Sequence, residues 1–312
     1  MHLRELAYLT LAVSLMAAPY VAAVVMIVLS VRRRRGASVP PSRRFVWASR
    51  IVFGLALAGI LLVAYSFIEP YWLEVTHVRI PSAKLARGTG PIRIAQISDL
   101  HCDSFARLED RLPDVIAREK PDLIVFTGDA LNSPAGLPIF KRCMAQLPPI
   151  APTFAVLGNW DVNHARKLDL FGGTGVRVLD GEVAPLRLHG VDIRLGGAPV
   201  WEYWFSDFLF GAMPPNAFTI FLYHIPIGAA HAARDNVDLV LAGHTHGGQV
   251  VIPFYGSAAS FARIEEKYLA GLYQIGRTRL YVNRGIGMEG GWWPRIRFGS
   301  RPEVTILDIV PQ

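Results

Sequence analysis

The chain has little cysteine: Cys102 and Cys143 are the two that occur among its 312 residues. An oxidising compartment would permit a disulfide between them, but two cysteines in so large a chain are more often free and buried, so we make no prediction about a bridge. A four-ligand structural zinc site is also disfavoured, because such sites usually contain several cysteines.

Lysine is absent from residues 1–70, and net charge is almost absent from the rest of the chain. The first 70 residues contain eight arginines and two acids, a net charge of +6 out of the total of +7. The remaining 242 residues hold 24 bases and 23 acids. Because nucleic-acid-binding domains are usually strongly basic, we expect no nucleic-acid partner.

Two long hydrophobic segments lack charged residues altogether. They run over residues 6–31 and 51–68, and each is long enough to cross a hydrocarbon core about 30 Å thick. We therefore predict a membrane anchor with two transmembrane helices at 1–70, a connector at 71–91 and one domain at 92–312. A cleaved secretion signal is the alternative for the first segment, and a buried core helix is the alternative for the second.

The loop between these segments contains seven arginines and no acid. By the positive-inside rule this loop lies in the cytoplasm, which places both termini outside. We expect a multi-pass protein of the cell (inner) membrane, with the lipid bilayer as a partner and an extracytoplasmic C-terminal domain. The sequence SRRFVWAS also looks faintly like a twin-arginine export signal, which would carry the domain across the membrane as well.

After the connector, short apolar segments alternate with amphipathic ones. Strands are predicted at 92–98, 122–128 and 153–158, with helices near 107–119 and 138–146. This order indicates a largely parallel buried sheet. The second half adds a hairpin and four further strands, more than one open sheet usually holds. We therefore predict an α/β fold in which two sheets pack face to face with helices outside.

Five of the predicted strands end in side chains that can bind metals. The carboxyl ends of strands in α/β sheets gather at one edge, where ligands bind. One Asp or His after a strand is usually an ordinary turn or rim residue, but several in equivalent positions indicate a site. The candidate ligands are Asp99, His101, Asp129, Asn159, His224, His244 and His246.

This donor set combines imidazoles, carboxylates and one carboxamide without a thiolate. Such a set suits Mn, Fe or Zn, and seven donors are enough for two divalent ions if one carboxylate bridges them. Two ions about 3.5 to 4 Å apart can generate a hydroxide and clamp a phosphoryl group during in-line displacement. The residues therefore predict phosphoester hydrolysis with two divalent metal ions as cofactors.

Five short motifs, in their order along the chain, resemble those of the calcineurin-like metallophosphoesterases. They are DLH (99–101), GD (128–129), GN (158–159), YH (223–224) and GHTH (243–246). The resemblance covers about residues 92–310, and the C-terminal segments look like the membrane-anchored bacterial branch. It implies a calcineurin-like double β-sandwich flanked by helices. That branch includes cell-envelope phosphodiesterases and a UDP-2,3-diacylglucosamine pyrophosphatase of lipid A synthesis.

The resemblance also implies a role for each candidate ligand. The first metal would be held by Asp99, His101 and His246. The second would be held by Asn159, His224 and His244. Asp129 would bridge the two ions, with a metal-bridging hydroxide as the catalytic nucleophile and Asn159 among the catalytic residues.

The motif GNWD departs from the family pattern. The family usually has a histidine after the asparagine, which helps to protonate or stabilise the leaving oxygen, whereas this chain has Trp160. An indole N–H donates a hydrogen bond but does not titrate near neutral pH, so the general-acid role is lost or moved. General-acid catalysis is worth about 10² to 10⁴ in rate, so a diphosphate or an activated phosphodiester would tolerate the change best. His164 is a candidate proton donor, with a surface histidine as the alternative interpretation.

Two aromatic stretches, 201–210 and 291–294, are interpreted either as packing or as an interfacial patch. In the second interpretation the natural substrate is a phosphate ester linked to a lipid. Arg284 is a candidate for binding its phosphate group, with Arg295 and Arg297 as further candidates.

These observations predict a membrane-anchored dimetal phosphohydrolase that cleaves a phosphodiester or diphosphate bond, with an envelope lipid as the proposed carrier of that bond. One alternative is a UDP-2,3-diacylglucosamine pyrophosphatase, which needs its catalytic face in the cytoplasm. The other is a catalytically silent metal-binding domain used for sensing, which is motivated by Trp160.

Overall fold

The structure is a computed structural model of the chain. It describes residues 3–36, 41–200, 202, 209, 214, 216–252, 256–257, 267–289 and 295–312. The described residues fall into two compact units, one ending at Ile68 and the other beginning at Glu69.

The N-terminal unit consists of two long helices, α1 (Leu3–Gly36) and α2 (Arg43–Ile68). α2 continues into a 3-10 turn. Among the described residues, the combined stretch Arg43–Tyr71 is the one helix long and apolar enough to cross a membrane by length and composition. Many of its apolar side chains are exposed, which is typical of a surface that contacts lipid. α1 is helical over the other predicted segment, and its crossing of the membrane stays a prediction.

The first sheet of the second unit has six strands. In chain order they are β1 (Glu74–Ser82), β2 (Ile92–Ile97), β3 (Leu123–Phe126), β4 (Thr153–Ala155), β5 (Arg177–Val178) and β14 (Glu303–Pro311). Their spatial order is β1-β14-β2-β3-β4-β5, and every neighbouring pair is parallel except β14 with β2. The helices connected to these strands are α3 (Leu112–Glu119), α4 (Leu137–Met144) and α5 (Asn159–His164).

The second sheet also has six strands. They are β6 (Glu182–Leu188), β7 (Val191–Gly197), β8 (Phe218–Leu222), β9 (Leu239–Ala242), β12 (Gly271–Ile275) and β13 (Thr278–Val282). The spatial order is β12-β13-β9-β8-β7-β6, with antiparallel pairs at the two edges and parallel pairs between them. A two-stranded ladder and a short helix complete the unit. These are β10 (Val251–Ile252), β11 (Gly256–Ser257) and α6 (Ala229–Ala232).

The two sheets pack face to face through one buried apolar cluster. Ile94 and Val125 from the first sheet and Leu195 and Ile220 from the second are fully buried in it. A second cluster covers the opposite face of the first sheet together with α3 and α4, and a third covers the opposite face of the second sheet. The strands are apolar on both faces because both faces are covered. The prediction of an α/β fold with two face-to-face sheets and helices outside is confirmed.

Two segments differ from the sequence-based description. Residues 74–82 of the predicted connector form the edge strand β1, because they pair in parallel with β14 along their whole length. The helix expected near 107–119 begins at Leu112. The Glu109 carboxylate accepts the backbone N–H groups of Arg107 and Leu108, which holds the preceding residues in a non-helical loop. Cys102 and Cys143 are buried and free.

Truncation of a side chain between the sheets should destabilise the second unit. We expect Leu195→Ala, which removes a fully buried side chain, to lower the free energy of unfolding by about 2 to 5 kcal/mol. Leu272→Ala is the matched control in the same sheet, since this side chain is 45% exposed and should cost less than about 0.5 kcal/mol. Denaturant titration of the detergent-solubilised chain, followed by tryptophan fluorescence, measures both. Equal losses would show that the face between the sheets is not the core.

Candidate metal centre

The seven predicted ligands lie at the carboxyl ends of five strands. Asp99 and His101 follow β2, Asp129 follows β3, and Asn159 begins α5 after β4. In the second sheet one predicted ligand follows β8 and two follow β9. These strands run parallel within each sheet, so their carboxyl ends gather at one edge of each.

The structure brings these side chains together in two groups of three. Asp99, His101 and His246 form one group, and Asp129, His224 and His244 form the other. Within each group, one ligand atom from every residue lies within 4.8 Å of the others.

Asp129 lies between the two groups. Its Oδ2 is 3.2 Å from Nε2 of His224 in its own group and 3.6 Å from Nε2 of His101 in the other. Asn159 Oδ1 is 3.0 Å from the same His224 nitrogen, so all seven predicted ligands are near one another. Asp129 therefore lies where a carboxylate that bridges two cations would lie.

A second carboxylate links the sheets. Both oxygens of Asp99, which follows β2, accept the backbone N–H of His244, which follows β9, at 3.1 Å. Gly243 precedes this N–H, and a Cβ there would overlap the side chains of Ser98 and Asp99. Glycine is therefore required where the two loops meet.

The donor set fits divalent cations. Both ring nitrogens of His101 and Nδ1 of His246 are buried without a hydrogen-bond partner among the described residues. Buried polar atoms normally have partners, so these imidazole nitrogens, which lie beside carboxylates, are suited to bind a cation. Imidazole and carboxylate donors without thiolate match the preferences of Mn, Fe and Zn.

The backbone at the centre is strained. Five of the predicted ligands have a positive φ, between 42° and 73°. They are Asp99, His101, Asp129, His244 and His246. Positive φ is uncommon for residues other than glycine and persists only when the surroundings impose it, usually at functional sites.

Three of the histidines are held neutral. Burial lowers the pKa of His101 to about 4 and that of His244 to about 4. Burial also lowers the pKa of His246 well below its ordinary value. Neutral imidazoles have a free lone pair, so these three side chains are ready to bind a cation at neutral pH.

His224 is the exception. Burial acts to lower its pKa, but the charge and hydrogen bond of Asp129 outweigh burial and raise it to about 10. Burial raises the pKa of Asp99 to about 7. For Asp129, burial is outweighed by His224, which holds the pKa of this carboxyl below its usual range. The charge of Asp129 therefore favours the protonated form of His224.

Asp161 fixes the loop of Asp129, a role that the sequence analysis missed. This buried carboxylate accepts backbone N–H groups from Asp129, Ala130 and Gly158 at 2.8, 2.8 and 2.9 Å. Burial and the charge of Asp129 raise its pKa to about 6. Its position in the GNWD motif could have marked Asp161 as a functional residue. Its partners, 31 and 32 residues away, could not be inferred from the neighbouring sequence.

Trp160 lies at the margin of the centre. Its backbone N–H donates to Asp129 Oδ1 at 2.8 Å, and its ring meets the His101 ring edge-on at 5.5 Å between centroids. The indole Nε1 donates to Glu289 at 3.3 Å, and the ring of His164 stacks on the indole at 4.4 Å. The structure therefore brings His164 to Trp160. Glu289 is a further residue that sequence reasoning did not identify.

The candidate phosphate-binding arginines are engaged with protein groups. Arg284 forms ion pairs with Glu74 at 2.9 Å and Glu303 at 3.2 Å. Arg295 pairs with the buried Asp103. Arg297, the third candidate, is fully buried. The aromatic stretch 291–294 lies outside the described residues, as does 201–210 apart from positions 202 and 209.

Comparison with known proteins gives a consistent result. A family model described as calcineurin-like phosphoesterase matches residues 92–248. The uncharacterized metallophosphoesterase YkuE of Bacillus subtilis is 30% identical, covering 83% of this chain and 94% of that one. Phosphodiesterase YaeI of Escherichia coli is 32% identical, covering 78% and 91%. The UDP-2,3-diacylglucosamine pyrophosphatase LpxG of Chlamydia muridarum is 28% identical, covering 77% and 90%.

Metal loading should release protons. Because the pKa of His224 is about 10, this side chain is protonated at pH 7 and must lose its proton to bind a cation. We expect about one proton from His224 and part of another from Asp99, whose pKa is about 7. The apparent affinity for Mn²⁺ should therefore rise as pH rises from 6 to 8.

Calorimetric titration of the metal-free chain with Mn²⁺, in two buffers of different ionisation enthalpy, measures the number of protons released. His77→Asn changes an exposed histidine outside the centre and should leave that number unchanged. A binding enthalpy independent of the buffer would contradict the protonation state assigned to His224.

Proposed function

The chain belongs to the calcineurin-like phosphoesterase family and is a metal-dependent phosphoesterase, and on this premise we propose that it is a membrane-anchored dimetal enzyme that cleaves a phosphodiester or diphosphate bond. In this proposal residues 1–70 contain the anchor and 92–312 form the body of the catalytic domain, and residues 74–82 of the predicted connector 71–91 add the edge strand β1 to that domain. The observation that carries it is the position of Asp129 between two groups of metal-binding side chains.

The proposed ligand sets follow these groups. Asp99, His101 and His246 would hold one cation. Asn159, His224 and His244 would hold the other. Asp129 would contribute to both sets. Divalent cations bound in such a centre lower the pKa of a water molecule and withdraw charge from the phosphoryl oxygens.

The protein groups around the ligands restrict the chemistry of the leaving group. Trp160 offers an N–H that cannot transfer a proton at neutral pH, and this N–H is directed to Glu289. His164 stacks on the same indole and remains the candidate proton donor. A substrate with a weakly basic leaving oxygen, such as a diphosphate or an activated diester, needs this proton least.

We propose that the substrate is linked to an envelope lipid and that the domain is extracytoplasmic. The apolar stretch Arg43–Tyr71 supports membrane attachment, and the arginine-rich loop before residue 51 supports a cytoplasmic position for that loop. A two-span, multi-pass topology in the inner membrane follows if α1 also crosses the bilayer.

A second candidate is a pyrophosphatase for UDP-2,3-diacylglucosamine that faces the cytoplasm. The observation that favours it is the 28% identity to LpxG over 77% of the chain. Topology separates the two candidates. A reporter fused after Gln312 that is active in the cytoplasm alone would replace the first candidate with the second. The hypothesis of a silent sensor is not retained, because the family and its named relatives are hydrolases.

Loss of a proposed ligand should abolish turnover. The Mn²⁺-loaded full chain is expected to hydrolyse bis-p-nitrophenyl phosphate. Asp129→Ala and His246→Ala should lower kcat by about 100-fold or more, because metal stabilisation of the transition state is worth several kcal/mol. His189→Ala, which changes an exposed histidine paired with Asp122, should alter kcat less than about twofold.

Steady-state kinetics with a thermal-unfolding control distinguishes catalysis from folding. Absence of turnover by the unmodified chain on diesters, monoesters and diphosphates would contradict the proposed activity. Full activity in both ligand variants would show that the active centre lies elsewhere.

A further inference from the structure

Glu69 is a buried acid that the proposed mechanism does not use. It directly follows α2 in the chain and is the first residue of the second compact unit, where its exposed fraction is 0%. A buried carboxylate is unfavourable unless its oxygens accept hydrogen bonds. Oε1 accepts the backbone N–H of Ser300 at 2.6 Å, and Oε2 accepts that of Gly299 at 2.9 Å. These charge-assisted bonds fix the loop before β14.

The same loop supports His246. The Ser300 hydroxyl donates to the backbone oxygen of His246 at 2.7 Å. His246 has a φ of 52°, and the next residue, Gly247, has a φ of 59°. A Cβ at Gly247 would lie 2.6 Å from the Ser300 hydroxyl oxygen, so the two loops are in close contact. The hydroxyl of Ser300 therefore stabilises the strained turn that carries a predicted ligand.

Arg297 reinforces this loop from its other side. Its guanidinium is fully buried and donates to the backbone oxygens of Ser300 at 2.9 Å and of Gly287 at 2.5 Å. The N–H of Gly287 in turn donates to the backbone oxygen of Asp99 at 2.7 Å. Two predicted ligands of one group, Asp99 and His246, are thus supported by the loop that Glu69 fixes.

We propose that Glu69 is a positioning residue for the metal centre: through Gly299 and Ser300 it fixes the main chain of His246 in a ligand geometry. This inference rests on the proposed role of His246 as a metal ligand. It also means that the metal centre depends on the residue at which the apolar helix enters the domain. Loss of a group that hydrogen-bonds to a metal ligand commonly weakens metal binding about 10- to 100-fold.

Glu69→Gln in the full chain tests the proposal. The carboxamide keeps one acceptor oxygen but places an NH₂ group against a backbone N–H, so one of the two bonds is lost. Titration of the detergent-solubilised chain with Mn²⁺, followed by the electron paramagnetic resonance signal of the free ion, measures affinity without turnover. We expect about 10- to 100-fold weaker binding of at least one ion.

Glu109→Gln is the matched control. Glu109 is also buried, at 1% exposed, and its carboxylate also accepts two backbone N–H groups, from Arg107 and Leu108. Those backbone donors do not lie in the loops of Ser300 or His246, and the change retains the Arg107 guanidinium, which donates to the backbone oxygen of His101 at 3.3 Å. Glu109→Gln should therefore lower thermal stability while leaving Mn²⁺ affinity within about twofold of the unmodified chain.

Ser300→Ala provides a second variant if Glu69→Gln does not fold. It keeps the N–H that Glu69 accepts and removes the hydroxyl that reaches His246, so Mn²⁺ affinity should fall with little loss of stability. Unchanged affinity in Glu69→Gln or Ser300→Ala, or equal weakening in Glu109→Gln, would overturn the proposal. Absence of Mn²⁺ binding by the unmodified chain would instead reject the metal centre itself.

Discussion

The carboxylate of Asp129 is the group around which the centre is arranged. One oxygen accepts the backbone N–H of Trp160, and the other faces His101 and His224. The backbone N–H of Asp129 is in turn held by the buried Asp161. A negative charge in this position is unfavourable in a buried site without compensation, and the pKa of the neighbouring His224 is accordingly raised by the charge and hydrogen bond of Asp129. A divalent cation bound here would provide this compensation in place of a proton on His224.

The two-sheet core makes this arrangement possible. Strands buried on both faces contribute apolar contact area that offsets the unfavourable backbone of the loops at their carboxyl ends. The loops also brace each other, because Asp99 from the first sheet accepts the N–H of His244 from the second. Loops from separate sheets therefore restrain each other, and displacement of one would break contacts of the other.

The features that sequence predicts well here are local. An apolar run followed by Asp, His or Asn predicts a strand and places the polar side chain at its carboxyl end. Five such strand ends identified seven side chains that the structure brings together. Features that depend on distant pairing were missed. β1 joins the sheet by pairing with β14, more than 200 residues away, and Asp161 contacts donors about 30 residues earlier. Arg284 and Arg295, two of the three arginines proposed to bind phosphate, instead pair with Glu74 and Asp103, which no local pattern indicates.

The predicted ligands and the groups that hold their loops in place also differ in how far apart they lie along the chain. The seven predicted ligands lie between positions 99 and 246, in the segments that follow five strands. The groups that brace one of the two sets lie outside that interval, at Glu69, Arg297 and Ser300. They are brought together because β1 and β14, the first and last strands, are neighbours in the sheet. The chain entering the domain thus passes the loop that precedes its final strand. A carboxylate at the entry point can then accept hydrogen bonds from that loop, and the loop can support His246. The physical domain therefore begins at the end of the apolar helix, at Glu69, before the first strand that the sequence pattern reveals.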